Sequence, residues 1–342
     1  MRFEYYHQGL EDAPKLSIDG LVPNSIHFSH WQGNSTSTKV KADTSTEIAL
    51  NLVASPDREE LTRGVELVTN NHFDTDGVLS VWTVLAGRRA LDLREKLIAA
   101  AEAGDFCEYT GENGVRASFV IQGSDAPVPG EEAGSPLARR LAGETVTDEA
   151  RSYGLVLPEV ERVLTRTDDY ESLWRGPWDR LAAVLESFAR GASKVDEQPE
   201  TGLSVITLAP SAFHPTGFDP TRHAAPYTAI SYHARGRLYL IATPLGDGWS
   251  YRVDYPYYSW AETVARPRIE RRDFGPLIVR LNELERKAGG YWKADASELA
   301  SAFKFMDGNG MLGASSLAPE KVAEEMRAFL QPARGLRRDV AR

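Results

Sequence analysis

The sequence predicts an α/β fold, in which a parallel-sheet domain flanked by helices is followed by a smaller α+β domain. Three observations carry this. A short apolar run, Val65 to Thr69, leads into a polar knot, His72-Phe73-Asp74-Thr75-Asp76-Gly77, and an apolar helical stretch follows from Ser80; strand, turn and helix in that order build an α/β sheet. From Leu203 the chain turns to short runs rich in Val, Ile, Thr and Tyr, broken by Gly236 and by Gly246-Asp247-Gly248, as successive strands would be. The 342 residues fit about two domains, and the polar stretch Gly191 to Gly202, with Pro199 inside it, is the best boundary. The expected domains are 1–195, with the functional site, and 196–342, closing over it.

Taken in order, residues 1–24 read as an irregular lead-in. Ser25 to Trp31 alternates as a strand, with Ile26, Phe28 and His30 on one side, and Gly33 to Thr38 is a polar loop. Asp43 to Ser55 reads as a helix: Thr44 or Ser45 can cap it, Ile48, Ala49, Leu52 and Val53 form its apolar face, and Pro56 stops it. Asp57 to Arg63 is helical by pattern. After the knot, Ser80 to Ala90 and Leu91 to Gly104 read as helices, the second ended by its glycine. Ala117 to Gln122 reads as a strand and Gly123 to Gly134 as an acidic loop. Leu137 to Leu141, Glu159 to Thr165 and Leu173 to Arg190 read as helices. Beyond the boundary, Leu203 to Ala209, Tyr227 to His233, Arg237 to Thr243 and Trp249 to Tyr255 read as strands. Asp273 to Lys287, Ala296 to Phe303 and Pro319 to Leu330 read as helices, and Arg334 to Arg342 as a frayed basic tail.

Composition narrows the function classes. Apolar residues make up 42% and charged residues 26%, ordinary values for a globular protein. A net charge of -10 argues against a broad nucleic-acid-binding surface, so long nucleic acid is not the expected partner. The single cysteine, Cys107, leaves no internal disulfide and fits a reducing compartment. The first residues carry no apolar signal core, and no window approaches the ~18 apolar residues that span a bilayer. The expectation is a cytoplasmic chain with no membrane contact.

The chemistry concentrates in the knot. Alternation along an extended segment puts His72, Asp74 and Asp76 on one side, and one imidazole with two carboxylates suits Mn²⁺ or Mg²⁺. Gly77 lets the chain turn sharply into the next helix. The stretch His72-Phe73-Asp74-Thr75-Asp76-Gly77-Val78-Leu79-Ser80 resembles motif I of the DHH phosphoesterase superfamily, in the spacing of its RecJ-like branch. The resemblance implies a parallel α/β domain carrying two Mn²⁺ or Mg²⁺ ions, a smaller C-terminal domain that helps hold the substrate, and hydrolysis of a phosphoester or phosphoanhydride. With long nucleic acid disfavoured by the acidic charge, a small nucleotide is the expected substrate. The superfamily's Asp-His-His triplet and Gly-Gly-Gly-His signature are absent; Gly289-Gly290-Tyr291-Trp292 comes nearest to the second. Phe73 to Leu79 also resembles motif I of haloacid-dehalogenase-type phosphatases, where Asp74 would be the nucleophile and Asp76 the general acid/base. A third reading is a catalytically degenerate fold that binds a nucleotide or a protein partner. His72 divides the first two: a ligand in one, a bystander in the other.

Two-metal hydrolysis needs more ligands than three. Asp105 follows a helix in Ala103-Gly104-Asp105-Phe106, and His30 ends a strand that would reach the same C-terminal sheet edge. Asp43 reads first as a helix N-cap, with metal binding as the alternative. Trp31 to Thr36 is an ordinary loop or an anion cradle. Arg266 and Arg268, near Arg271 and Arg272, could hold phosphate through their forks or simply face solvent. His223 reads as an ordinary loop residue or as one that reaches a substrate phosphate, whereas the spacing of His214, His223 and His233 fits no structural zinc site. Tyr251, Tyr255, Tyr257, Tyr258 and Trp260 read as sheet core or as a base-stacking group. The expected site is therefore His72, Asp74 and Asp76 as catalytic metal ligands, Asp105 and His30 completing the shell, and Arg266, Arg268 and His223 holding a small phosphorylated substrate.

Overall fold

The computed structural model describes residues 1–214, 217–295 and 299–331. They form two compact units: one of residues 1–185, 224–232 and 257–269, the other of the remaining segments. The chain first leaves the first unit after residue 185 and returns to it twice, and nothing in composition marks those returns.

The first unit is built on a four-stranded sheet of β1 (Arg2–Phe3), β2 (Lys15–Ile18), β3 (Ile26–Phe28) and β4 (Leu67–Thr69). The strand order is β1-β4-β2-β3 and each pairing is parallel. Residues 1–24, expected to be irregular, thus supply two of the four strands. They are short, and a two-residue or four-residue strand gives too little alternation to be read as one. Every residue of β2 is buried. Lys15 is included, its Nζ donating to the carbonyls of Glu11 (2.8 Å), Ala13 (3.3 Å) and Asn24 (3.2 Å), which ties the loops around β2 to one ammonium.

The helices of this unit are α1 (Ser45–Ala54), α2 (Arg58–Leu61), α3 (Thr75–Ala86), α4 (Arg94–Asp105), α5 (Glu112–Ile121), α6 (Pro136–Ala142), α7 (Glu149–Val156) and α8 (Val160–Thr165). The long α9 (Glu171–Ala189) follows. Thr44 caps α1 by accepting the N–H of Glu47, so Asp43, read as a possible N-cap, is released for other partners. The expected strand at 117–122 is the C-terminal half of α5. Its Val115, Phe119, Val120 and Ile121 are all buried, and a fully buried helix face looks like a buried strand when only apolarity is read. The expected strand at 227–233 is a helix, α10 (Tyr227–His233). Here the carboxylate of Asp125 accepts both the N–H and the hydroxyl of Thr228 at 2.8 Å, so a tertiary cap overrides the β propensity of Tyr, Thr and Ile.

The second unit carries a six-stranded mixed sheet, ordered β5-β6-β7-β8-β10-β9. Its strands are β5 (Lys194–Gln198), β6 (Leu203–Thr207), β7 (Leu238–Leu245), β8 (Gly248–Asp254), β9 (Tyr291–Ala294) and β10 (Ser301–Met306), with helices α11 (Gly275–Leu284) and α12 (Pro319–Leu330). Only β6 and β7 pair in parallel. Trp292, Phe303 and Phe305 pack in its core with Tyr251. Of the helix expected at 296–303, residues 296–298 lie outside the described part and 301–303 open β10, where Phe303 and Phe305 alternate inward against β8 and β9. The basic tail 334–342 also lies outside it. The fold class is α/β, with one parallel and one mixed sheet flanked by helices. Among the described residues no helix is long and apolar enough to cross a membrane.

Candidate metal centre

Three strands of the parallel sheet end in side chains aimed at one place. After β2 comes Asp19, after β3 comes His30, and after β4 comes the run Asn70 to Asp74. The C-terminal edge of a parallel sheet is where α/β folds gather ligand-binding groups. Because β2 lies between β4 and β3, Asp19 sits between the other two contributions. Its backbone is left-handed, φ 68°, a conformation that Asp tolerates better than most residues. Gly20 follows, and a Cβ there would lie 2.0 Å from Asn71 Oδ1, so only glycine lets β2 and the β4 loop approach this closely.

The knot is not extended. Asp74 is the N-cap of α3, accepting the N–H of Gly77 at 2.7 Å, and Asp76 lies in the first helical turn. The expected alternation of His72, Asp74 and Asp76 is corrected accordingly: a capped helix start brings the three together instead. Gly77 serves close packing rather than a sharp turn. A Cβ there would come 2.5 Å from Asn70 Nδ2 and 2.7 Å from Tyr153 Oη.

Two groups of ligand-type atoms result, each lying within 4.8 Å: Asp19, His30, Asp76 and Asp105, all buried, and Asp19, His72 and Asp74. Asp19 belongs to both. His30 Nε2 lies 3.1 Å from Asp105 Oδ2, 3.6 Å from Asp19 Oδ1 and 3.9 Å from Asp76 Oδ2. His72 Nε2 lies 2.8 Å from Asp19 Oδ2 and 3.1 Å from Asp74 Oδ2. The far nitrogen of each ring is already engaged. His30 Nδ1 is 2.7 Å from the carbonyl of Asp43, and His72 Nδ1 is 3.2 Å from Asn71 Oδ1. An N–H facing these oxygens leaves the lone pair on Nε2.

The carboxylates are also held. Asp76 receives the backbone N–H groups of Ser45 (2.7 Å) and Thr46 (2.8 Å), so it caps the start of α1, where the helix dipole favours negative charge. Asp19 Oδ1 accepts the Ser45 hydroxyl at 2.8 Å. Gln122 joins α3 to the end of α4: its Oε1 accepts the N–H of Thr75 at 2.6 Å and its Nε2 donates to the carbonyl of Gly104 at 3.2 Å. That fixes Asp105, the last residue of α4.

Protons are displaced strongly here. Burial and the neighbouring Asp19 charge push Asp76 up to about 7. Burial and the charges of Asp74 and Asp76 hold Asp105 well above the carboxylate range. Burial would lower His30, but Asp105, Asp76 and Asp19 override it and push it up to about 10. Burial would also lower His72, and Asp74 and Asp19 raise it. For Asp19, burial is overcome by the charges of His72 and His30, and its pKa is lowered. Despite these short distances, Asp19 Oδ2, His30 Nε2, His72 Nε2 and Asp105 Oδ2 are buried and misaligned for any hydrogen bond among the described residues. Buried polar atoms are rarely left so. Their common need for a positive centre is what a divalent cation meets, so the residues fit a metal.

His30, His72, Asp74, Asp76 and Asp105 of the expected site are thus brought together. Asp19 was missed; its only signal was the apolar run Leu16-Ser17-Ile18 ending in Asp19-Gly20. Arg266 meets three carboxylates: Asp43, Glu102 and Glu108. Its fork has no edge left for a phosphate. Arg268 is exposed. His223 belongs to the second unit, stacked on His214 at 3.5 Å between ring centres, with Nδ1 accepting the N–H of Asp219. Trp260 packs edge-on against His30, and Trp31 lies 5.1 Å from the His72 ring and 5.4 Å from Trp260.

A family model described as a family of unknown function, DUF6687, matches residues 2–339. No curated protein matches the chain. Among solved structures, PggH, a pGpG-specific phosphodiesterase from Vibrio cholerae, aligns with 93% of this chain and 97% of its own, at 11% identity and a TM-score of 0.35.

Proposed function

The chain belongs to the DUF6687 family, and we propose that it is a divalent-metal-dependent hydrolase of phosphoesters or phosphoanhydrides, acting on a small phosphorylated substrate such as a nucleotide. One observation carries the reading. Two imidazoles, each with Nδ1 tied to an oxygen, present Nε2 to carboxylates that share Asp19. Metal binding would displace the site's protons, leaving both rings neutral and Asp19, Asp74, Asp76 and Asp105 as four negative charges in a largely buried site. Two Mn²⁺ or Mg²⁺ ions balance that charge, and a single ion leaves half of it uncompensated. His30, Asp76 and Asp105 would hold one ion, His72 and Asp74 the other, with Asp19 shared between them.

When bound, such ions polarise a phosphoryl group and acidify a water molecule. The chain's own residues prepare the place. The Asp43 carbonyl and Asn71 Oδ1 orient the two rings, and the α1 N-terminus holds Asp76. Burial supports the lowered water content that makes charge effective.

The haloacid-dehalogenase-like alternative is disfavoured by the same geometry. His72 points at Asp19 and Asp74 rather than away. Asp76 has both oxygens occupied by backbone N–H groups, a poor arrangement for a general acid/base that must exchange a proton with substrate.

The test is a calorimetric Mn²⁺ titration of EDTA-stripped protein, with hydrolysis assayed against a panel of small phosphoesters and phosphoanhydrides. Two binding events are expected. Asp74→Ala should remove one, and Asp19→Ala should weaken both. Mn²⁺ binding that Asp19→Ala leaves intact overturns the shared-ligand centre. Binding without turnover on any substrate returns the protein to the class of nucleotide- or partner-binding folds.

A further inference from the structure

Arg266 is not among the ligand-type residues, yet two routes tie it to His30. Its Nε donates to Glu108 Oε1 (2.9 Å), one terminal nitrogen to Asp43 Oδ2 (2.7 Å), and the other to Glu102 Oε1 (2.6 Å) and Glu108 Oε2 (2.5 Å). The guanidinium lies over the Phe106 ring at 4.8 Å, and Phe106 stacks on His30 at 5.7 Å. That is the first route. The second passes through Asp43. Its carboxylate also accepts the backbone N–H groups of Val264, Ala265 (2.8 Å) and Arg266 (3.0 Å), while its main-chain carbonyl takes His30 Nδ1.

The segment that delivers Arg266, residues 257–269, belongs to the same unit as the candidate centre. It holds His30 at further points. The Glu262 N–H donates to the His30 carbonyl at 2.7 Å, and the Glu262 carboxylate accepts from Gly33, Asn34 and Lys41 at 3.0, 3.0 and 2.8 Å. Trp260 closes on the edge of the imidazole.

The physical consequence concerns the proton on His30. A ring that ligates through Nε2 must carry its proton on Nδ1, and the acceptor facing Nδ1 selects that tautomer. The acceptor is the Asp43 carbonyl, and its position depends on where the Asp43 side chain is held. Without the guanidinium, Asp43, Glu102 and Glu108 would face one another with their shared cation gone. Their mutual repulsion would strain the Asp43 carboxylate against the backbone N–H groups of Val264, Ala265 and residue 266 that still hold it, and shift the carbonyl that faces His30. His72 has a separate acceptor, Asn71 Oδ1, so this effect is confined to one side of the centre.

We propose that Arg266 is a positioning residue for one half of the metal centre: through Asp43 and Phe106 it fixes the ring orientation and tautomer of His30. The inference rests on the two-ion reading above, and the experiment separates the two.

Mn²⁺ binding is followed by electron paramagnetic resonance in wild type, Arg266→Met, Arg266→Lys and the double variant Arg266→Met/Glu108→Gln. The double variant removes one orphaned carboxylate and so keeps the fold within reach if the single change loosens it. Arg268→Met is the control. The Arg266→Met variants should bind Mn²⁺ about 10–100-fold more weakly at the group containing His30, as loss of an outer-shell partner does, and normally at the group containing His72. Lysine should not restore binding, because a point charge cannot span three carboxylates as the fork does. Nitrogen-15 spectra of the metal-free protein, followed up in pH until the His30 ring is neutral, should show the Nδ1–H form in wild type and a growing Nε2–H fraction in Arg266→Met/Glu108→Gln. Equal weakening of both groups means general loosening and overturns the proposal, as does wild-type affinity in both methionine variants. If wild type binds no Mn²⁺, the metal-centre reading fails by itself, and an unchanged His30 tautomer in the variants still overturns the positioning role.

Discussion

The clearest consequence of the candidate centre is that pH should act on stability in opposite directions with and without metal. Consider the metal-free protein between pH 6 and 8. Asp76, pushed up to about 7 by burial and by Asp19, holds a proton in the folded state that it has already lost in the unfolded state above about 4. Its contribution therefore falls as pH rises, by about 1 kcal/mol between pH 6 and 7. His30, pushed up to about 10 against its burial by Asp105, Asp76 and Asp19, stabilises fully below about 6.5 and loses that contribution as pH rises toward 10. From 6.5 to 8 this removes about 2 kcal/mol. His72, raised against its burial by Asp74 and Asp19, acts with the same sign. Asp19, lowered, would act only well below this window. The sum is about 3 kcal/mol of lost stability, equivalent to a Tm fall of about 6–12 °C for a domain of this size. Divalent ions compete with these protons, so saturating Mn²⁺ should stabilise little at pH 6 and increasingly above it; a ligand at 100 times its Kd contributes about 2.7 kcal/mol per site. The assay is thermal unfolding in EDTA and in Mn²⁺ across pH 6–8, with His30→Asn as a control whose EDTA slope should be shallower. A Tm in EDTA that is flat or rises with pH, or curves that stay parallel with and without Mn²⁺, would refute the reasoning.

Two further outcomes follow from the same geometry. Asp105→Asn removes a carboxylate whose burial and neighbours keep it well above its ordinary range, so it should raise the Tm in EDTA at pH 8 by several degrees while abolishing the Mn²⁺-induced shift; a lowered Tm in EDTA counts against uncompensated charge in the metal-free site. Gly77→Ala puts a methyl 2.5 Å from Asn70 Nδ2 and 2.7 Å from Tyr153 Oη, and overpacking of this kind costs about 1–3 kcal/mol; urea unfolding should show it, and an unchanged midpoint would mean that Asn70 and Tyr153 yield freely.

Elements with a strong local signal were legible. The helix at Ser45–Ala54 has its cap, its apolar face and a stopping proline, and the strand before the knot and the β7–β8 hairpin are bounded by turn residues. The misreadings share one cause, which is that the deciding interaction comes from far away in the chain. Residues 227–233 have strand-like composition, but Asp125, a hundred positions earlier, caps them as a helix. Residues 117–121 are all buried because α5 is packed among other helices and not because they cross a sheet. β1 and β2 are too short to alternate, and they exist because β4 pairs with both.

The candidate site divides along the same line. The five residues found early each stood beside a visible punctuation: His72, Asp74 and Asp76 around the capped start of α3, His30 before a Gly-Asn turn, and Asp105 at a helix end. Asp19 had only a short apolar run before it and a glycine after it, in a stretch that offered no periodicity. Yet the topology makes it the most connected member. A strand order of β1-β4-β2-β3 places the end of β2 between the loop that carries His72 and the one that carries His30. A left-handed backbone then turns its carboxylate so that one oxygen faces each ring. Pairing order is invisible in a linear sequence, so the residue shared by both groups had to be the hardest to read. The same logic moves Arg266 from substrate clamp to internal support. An arginine fork matches phosphate and carboxylate alike, and only the fold reveals that three carboxylates reach it first.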